Sequence, residues 1–194
     1  MKSRKERLKD PDVLNFINIC PSTLLEYTKD TKRLKELAAV CSPEKTVFEI
    51  TEAENIKERL MLLYLGVGII KDLGYKIAVD DIASGYNRLQ LIVELIPHYI
   101  KIDRALIADC HSKRAYKNML RFIKNLSEDF GAETIAEGIE KKEEMEVLRE
   151  IGIDHGQGYY IAAPGRAINK KIIREGFFDG RRIQTGTGGK YKGA

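Results

Sequence analysis

Cysteine, proline and uninterrupted apolar sequence are all scarce in this chain. Of its 194 residues, three are cysteine and five are proline. Cys20, Cys41 and Cys110 are odd in number and lack CxxC spacing, which excludes a disulfide scaffold and a zinc ribbon and suits reduced thiols in a cytoplasmic protein. No stretch approaches the roughly 18 consecutive apolar residues of a membrane span. The basic start, MKSRKERLKDPDV, leads into no apolar h-region and is not read as a secretory signal. A strong excess of charge on the folded part is also missing. The net charge is +4, and the tail after Asp179, with Arg181, Arg182, Lys190 and Lys192 and no acid, accounts for it. Residues 1–179 are then close to neutral, which argues against a nucleic-acid reader with a basic face. With 43% hydrophobic and 32% charged residues, the chain has the composition of a globular protein and not of a disordered one.

What the chain does contain is an alternation. NFINIC (15–20), TVFEIT (46–51), KIAVDD (76–81), YIKID (99–103), ETIAEG (133–138) and GQGYYIA (156–162) are β-branched or aromatic runs suited to burial on both faces. Between them, apolar residues recur at helical spacing. Leu24, Leu25 and Tyr27 lead to Leu34 and Leu37, and Leu62, Leu65, Ile69 and Leu73 form a stripe before Gly74. Leu89, Ile92, Val93 and Ile96 stop at Pro97, Met119, Leu120, Ile123 and Leu126 stop near Gly131, and Met145 and Leu148 stop near Gly152. Strands alternating with helices predict β–α–β units and a parallel sheet, either an open doubly wound sheet or a barrel. No GxGxxG follows the first strand, and Gly66 and Gly68 fall inside a helical run, so a dinucleotide loop is excluded. The expected boundaries are a basic segment over 1–12, an α/β domain over 13–179 and a Gly/Lys-rich tail over 180–194.

The polar residues gather at the strand ends. Asn18 lies in the first run, Glu49 and Glu52 mark the second, Asp80 and Asp81 end the third, and Lys101 and Asp103 lie on the fourth. Glu137 and Glu140 follow the fifth, and Gln157 lies on the sixth. Ionisable groups in apolar strands are costly unless paired or bound to a metal. Their placement at one end of each strand matches a barrel with its active site at the C-terminal mouth. Simpler readings stand beside this one. Glu52 and Glu140 suit helix starts, Lys101 suits a side chain reaching to the rim, and Asp103 suits a cap. Adjacent Asp80 and Asp81 are harder to explain that way, because like charges at a buried strand end repel unless a cation lies between them. An acid-rich mouth suits Mg²⁺ or Mn²⁺ better than zinc. His98, His111 and His155 show no mutual ligand spacing and are expected at the surface or at helix ends.

These segments resemble the EAL domain family of bacterial cyclic-di-GMP phosphodiesterases. FINICP resembles its Asn-x-Ser-Pro strand, FEITE its Glu-x-Thr-Glu segment, and VDDIASGY its Asp-Asp-Phe-Gly-Thr-Gly-Tyr loop. IKIDR, AEGIE and QGYYIAAP follow in the family's order, and the resemblance spans residues 13–175. It implies a TIM-like (β/α) barrel and cleavage of cyclic-di-GMP to the linear dinucleotide with Mg²⁺ or Mn²⁺. By the same resemblance Asn18, Glu49 and Asp80 hold the first metal and Asp81 helps hold the second. Glu137 is the general base or a metal ligand, and Lys101 positions the attacking water and the phosphate. Gln157 completes the substrate site, Glu52 anchors the loop after Asp81, and Glu140 supports it.

Departures from the family pattern set further expectations. No Glu-Ala-Leu is present, nor the substrate-binding Arg that follows it; Ile82, Ala83 and Ser84 replace Phe, Gly and Thr, and Cys20 replaces a Ser. The chain starts just before the Asn-bearing strand, so an incomplete barrel of about six of the usual eight strands is expected. The expected consequences are impaired or absent hydrolysis and self-association that covers open parallel edges. Two rival readings are a working phosphodiesterase completed by another chain and a protein-interaction module that binds no nucleotide. Retention of Asn18, Glu49, Asp80, Asp81, Lys101, Glu137 and Gln157 together favours a metal or nucleotide role over the latter.

Overall fold

The computed structural model describes residues 14–50, 60–82, 88–163 and 183–185. The chain divides into two compact units, Met1–Ile77 with Arg182–Ala194, and Ala78–Arg181.

In the first unit, β1 (Leu14–Ile19) pairs in parallel with β2 (Thr46–Ile50) on one side and with β7 (Ile183–Thr185) on the other. All five residues of β2 are buried, as expected of a strand covered on both faces. Between β1 and β2 lie α1 (Pro21–Thr28) and α2 (Thr31–Val40), where the sequence pattern showed one helical segment. The break is local chemistry. Asp30 leaves the helix in an extended conformation, and its carboxylate accepts the Lys32 amide at 2.8 Å, capping α2 anew. Helix α3 (Leu60–Asp72) follows, and a Cβ on Gly66 would stand 3.5–3.6 Å from Thr28, Leu24 and Leu25 of α1. This glycine therefore sits at a close helix–helix approach, and the phosphate-loop alternative is excluded.

In the second unit, β3 (Lys76–Ile82, belonging to it from Ala78), β4 (Tyr99–Ile102), β5 (Glu133–Ala136) and β6 (His155–Gly156) pair in parallel in that order. The connecting helices are α4 (Arg88–Leu95), α5 (Arg104–Ile107), α6 (Arg114–Asp129) and α7 (Lys142–Ile151). Asp103 caps α5 by accepting the Ala105 amide at 2.7 Å, as the simpler reading of that residue expects. Gly152 ends α7 at φ +87°, and its N–H reaches the Leu148 and Arg149 carbonyls.

Three sequence expectations are corrected. The run 156–162 does not continue as a strand: after Gly156 the chain turns, with the Gly158 carbonyl accepting the Ile161 and Ala162 amides. On α3 and just beyond it, Leu62, Leu65, Ile69 and Leu73 are exposed, whereas Leu63, Val67 and Ile70 enter the core. An all-apolar helix offers more than one stripe at the same period, so spacing alone did not select the buried face. His155 is buried and bonded to Glu133, and is not a surface residue.

At the N-terminal side of β5 and β6, Asp154 accepts the Thr134 amide at 2.8 Å and the Thr134 hydroxyl at 2.7 Å. Lys124 of α6 donates to both of its oxygens at 3.0 Å. Burial opposes ionisation of Asp154, but the Thr134 donors and the Lys124 ammonium outweigh it and hold this carboxyl below its usual range. Among the described residues, no helix is long and apolar enough to cross a membrane.

Candidate metal and nucleotide site

The second unit's site begins with a fault in strand pairing. Val79 lies opposite Ile100 and Ile82 opposite Ile102, so Asp80 and Asp81 together oppose the single residue Lys101. This is a β-bulge, and Asp81 adopts φ +55° to make it. In a regular strand, successive side chains point to opposite faces. Here the bulge brings carboxylate oxygens of Asp80, Asp81 and Glu137 within 4.8 Å of one another.

Lys101 is only 4% exposed, which excludes the reading in which it merely reaches to the rim. Its ammonium lies 3.0 Å from Asp80 Oδ1 and 2.7 Å from Glu137 Oε1. Asp80 Oδ1 also accepts the Asp81 amide at 3.0 Å. Glu137 stands just past β5, where its N–H donates to the Ile102 carbonyl at 3.0 Å. Gln157 extends past β6 in the same manner, with its N–H on the Ala136 carbonyl, and its Nε2 donates to Glu137 Oε1 at 2.7 Å. Five of the expected site residues thus converge: Asp80, Asp81, Lys101, Glu137 and Gln157.

The loops carrying Glu137 and Gln157 interlock. The Gln157 carbonyl accepts the Ile139 amide, and the Ile139 carbonyl accepts the Tyr160 amide, each at 3.0 Å. A Cβ on Gly158 would fall 2.2 Å from the Ile139 nitrogen and oxygen, so the backbones meet where only glycine fits. Sequence reading did not single out Gly158, although its place directly after Gln157 was the available signal. Glu140 is exposed and pairs with Arg104 at 2.7 Å, alongside the loop that carries Glu137.

In the first unit, Asn18 and Glu49 are register partners on β1 and β2. Glu49 is 1% exposed, whereas Asn18 at the strand end is exposed. Glu52 lies outside the described residues.

Asp80, Asp81 and Glu137 supply carboxylate oxygens only to this cluster, with the Lys101 ammonium beside two of them. Oxygen-only donors at this spacing suit a hard divalent cation such as Mg²⁺ or Mn²⁺.

Comparisons with known proteins agree with this reading. The chain is 31% identical over 116 residues to the oxygen sensor protein DosP of Escherichia coli, covering 60% of this chain and 14% of that protein. It is 28% identical over 144 residues to the cyclic di-GMP phosphodiesterase PdeB of Shewanella oneidensis, covering 73% of this chain and 16% of PdeB. The chain thus spans a small fraction of the length of the curated relatives it matches. Among solved structures, BlrP1 of Klebsiella pneumoniae in complex with manganese and cyclic-di-GMP aligns with a TM-score of 0.71 at 27% identity. That alignment covers 82% of this chain and 41% of the BlrP1 chain. The shared fold is that of EAL domains, a TIM-like (β/α) barrel. The family model of the EAL domain matches residues 1–164, and with the motifs in order on their strand ends the chain belongs to the EAL domain family.

Proposed function

We propose that this chain acts as a divalent-metal-dependent EAL domain that binds cyclic-di-GMP and is impaired in hydrolysing it to the linear dinucleotide. The observation that carries the reading is the convergence of Asp80, Asp81 and Glu137, with the buried Lys101 ammonium between Asp80 and Glu137. In this reading Asp80, Asp81 and Glu137 hold Mg²⁺ or Mn²⁺. When bound, such ions supply a hydroxide at neutral pH and stabilise the attacking and leaving oxygens of an in-line displacement.

The chain's own groups have distinct tasks. Lys101, held between two carboxylates, presents a fixed positive charge to a phosphate oxygen and orients the attacking water. Glu137 accepts a proton as general base. Gln157 keeps the Glu137 carboxylate from rotating through its 2.7 Å hydrogen bond. Impairment is proposed of these 194 residues taken alone, which contain no Glu-Ala-Leu tripeptide to add its carboxylate. Loss of even a supporting partner costs roughly 10–100-fold in metal affinity or activity.

Calorimetry with cyclic-di-GMP, with and without Mn²⁺, followed by product analysis of the same sample, tests both halves. Binding heat that requires Mn²⁺, with linear dinucleotide far below enzymatic turnover, is the expected result. Rapid turnover overturns the impairment, and no heat with or without Mn²⁺ overturns the binding.

A further inference from the structure

We propose that Asp109, His111 and Glu144 form a second divalent-cation site, of zinc-binding chemistry, that shares no residue with the Asp80–Asp81–Glu137 cluster. Asp109 and His111 lie on the connection between α5 and α6, and Glu144 lies in the first turn of α7. One ligand atom from each of the three falls within 4.8 Å of the others.

Glu144 is 2% exposed and rigidly held. Its Oε1 accepts the Asp109 amide at 3.1 Å, and its Oε2 accepts the Glu140 and Lys141 amides at 3.0 and 3.1 Å. Those bonds explain why a carboxylate is buried there. They do not explain His111, whose Nδ1 is buried and has no hydrogen-bond partner among the described residues. A buried ring nitrogen without a partner forfeits its hydration, and coordination to a cation restores a bond to it.

The donor set decides the cation. Mg²⁺ and Ca²⁺ favour oxygen ligands, whereas one imidazole with two carboxylates suits Zn²⁺.

Lys141 opposes the cation. Its ammonium lies 2.6 Å from Asp109 Oδ1, in the place where a cation would stand beside that carboxylate. Both side chains of this pair are about half exposed, so Lys141 is able to swing into solvent when a cation arrives. The site is therefore an ion pair in competition with zinc.

The test is zinc titration of the full chain, followed by ¹⁵N–¹H spectra of the imidazole rings of its three histidines. One ring nitrogen of His111 is expected to shift at stoichiometric zinc, in wild type and equally in Asp80→Asn. Zinc affinity at this site is expected to fall about tenfold or more in Asp109→Asn and to rise in Lys141→Met, which removes the competing ammonium. An unmoved His111 ring overturns the proposal, as does unchanged affinity in Asp109→Asn. Loss of the His111 shift in Asp80→Asn shows instead that the two clusters are not independent. Glu144 is left intact because its three backbone bonds make its replacement a folding defect.

Discussion

Lys101 is the residue on which the site's electrostatics turn. With Asp80 Oδ1 at 3.0 Å and Glu137 Oε1 at 2.7 Å, it pairs with two carboxylates in a nearly dry place. Lys101→Met removes the ammonium that bridges Asp80 and Glu137 and is expected to cost about 3 kcal/mol in a denaturant titration. The same variant makes the cluster more negative, so Mn²⁺ should raise its melting temperature more than that of the wild type. An equal rise in both proteins would show that the cation does not bind beside Lys101. At this scale the sequence was informative about identity and silent about geometry. Asp80 and Asp81 stand out as adjacent acids after an apolar run, yet the bulge that brings both carboxylates beside Glu137 depends on pairing with β4. His155 was misread for the same reason. A lone histidine carries no periodicity, and only the packing of β6 on β5 reveals its bond to Glu133.

Among the elements, the two loops after β5 and β6 are what fix Glu137 and Gln157. Gly158→Ala places a Cβ 2.2 Å from Ile139 backbone atoms. It is expected to destabilise by about 3 kcal/mol or more and to loosen the Glu137–Gln157 contact, seen as weakened Mn²⁺ binding. Gly131→Ala is the matched control. Gly131 has φ +65° with nothing within 4 Å of a built Cβ, so about 1 kcal/mol is lost and Mn²⁺ binding is unchanged. If both variants weaken Mn²⁺ equally, the interlock is not what positions the acids. Strand and helix positions were largely legible from alternating runs and glycine stops: Gly74, Gly131 and Gly152 all lie at φ between +65° and +88°. Facing was less legible. Among the described side chains of α4, Leu91, Ile92 and Leu95 are buried and Leu89 and Val93 exposed, as is Ile96 just beyond it. A short apolar helix offers several plausible stripes, and the sheet it covers selects one.

Across the molecule, opposite ends of the strands of the second unit carry different duties. The N-terminal side holds Asp154 in a network of Thr134 and Lys124, while the C-terminal side holds the acids around Lys101. Because Asp154 titrates below its ordinary value when folded, its stabilisation is complete above about pH 4 and fades as pH falls through the folded value. Asp154→Asn should therefore cost about 1–3 kcal/mol at neutral pH, with the difference from wild type shrinking under acid. A difference that grows as pH falls would mean the carboxylate is not held ionised by the fold. Metal and nucleotide affinity should scarcely change in this variant, since its bonds lie away from the carboxylate cluster.

The most direct measurement is a Mn²⁺ titration followed by electron paramagnetic resonance, comparing wild type with Asp80→Asn and Glu137→Gln in the full chain. Loss of the free-ion signal on wild-type protein, with at least tenfold weaker uptake in each variant, is the expected result. Uptake unchanged in both variants would contradict a cation centre formed by these acids.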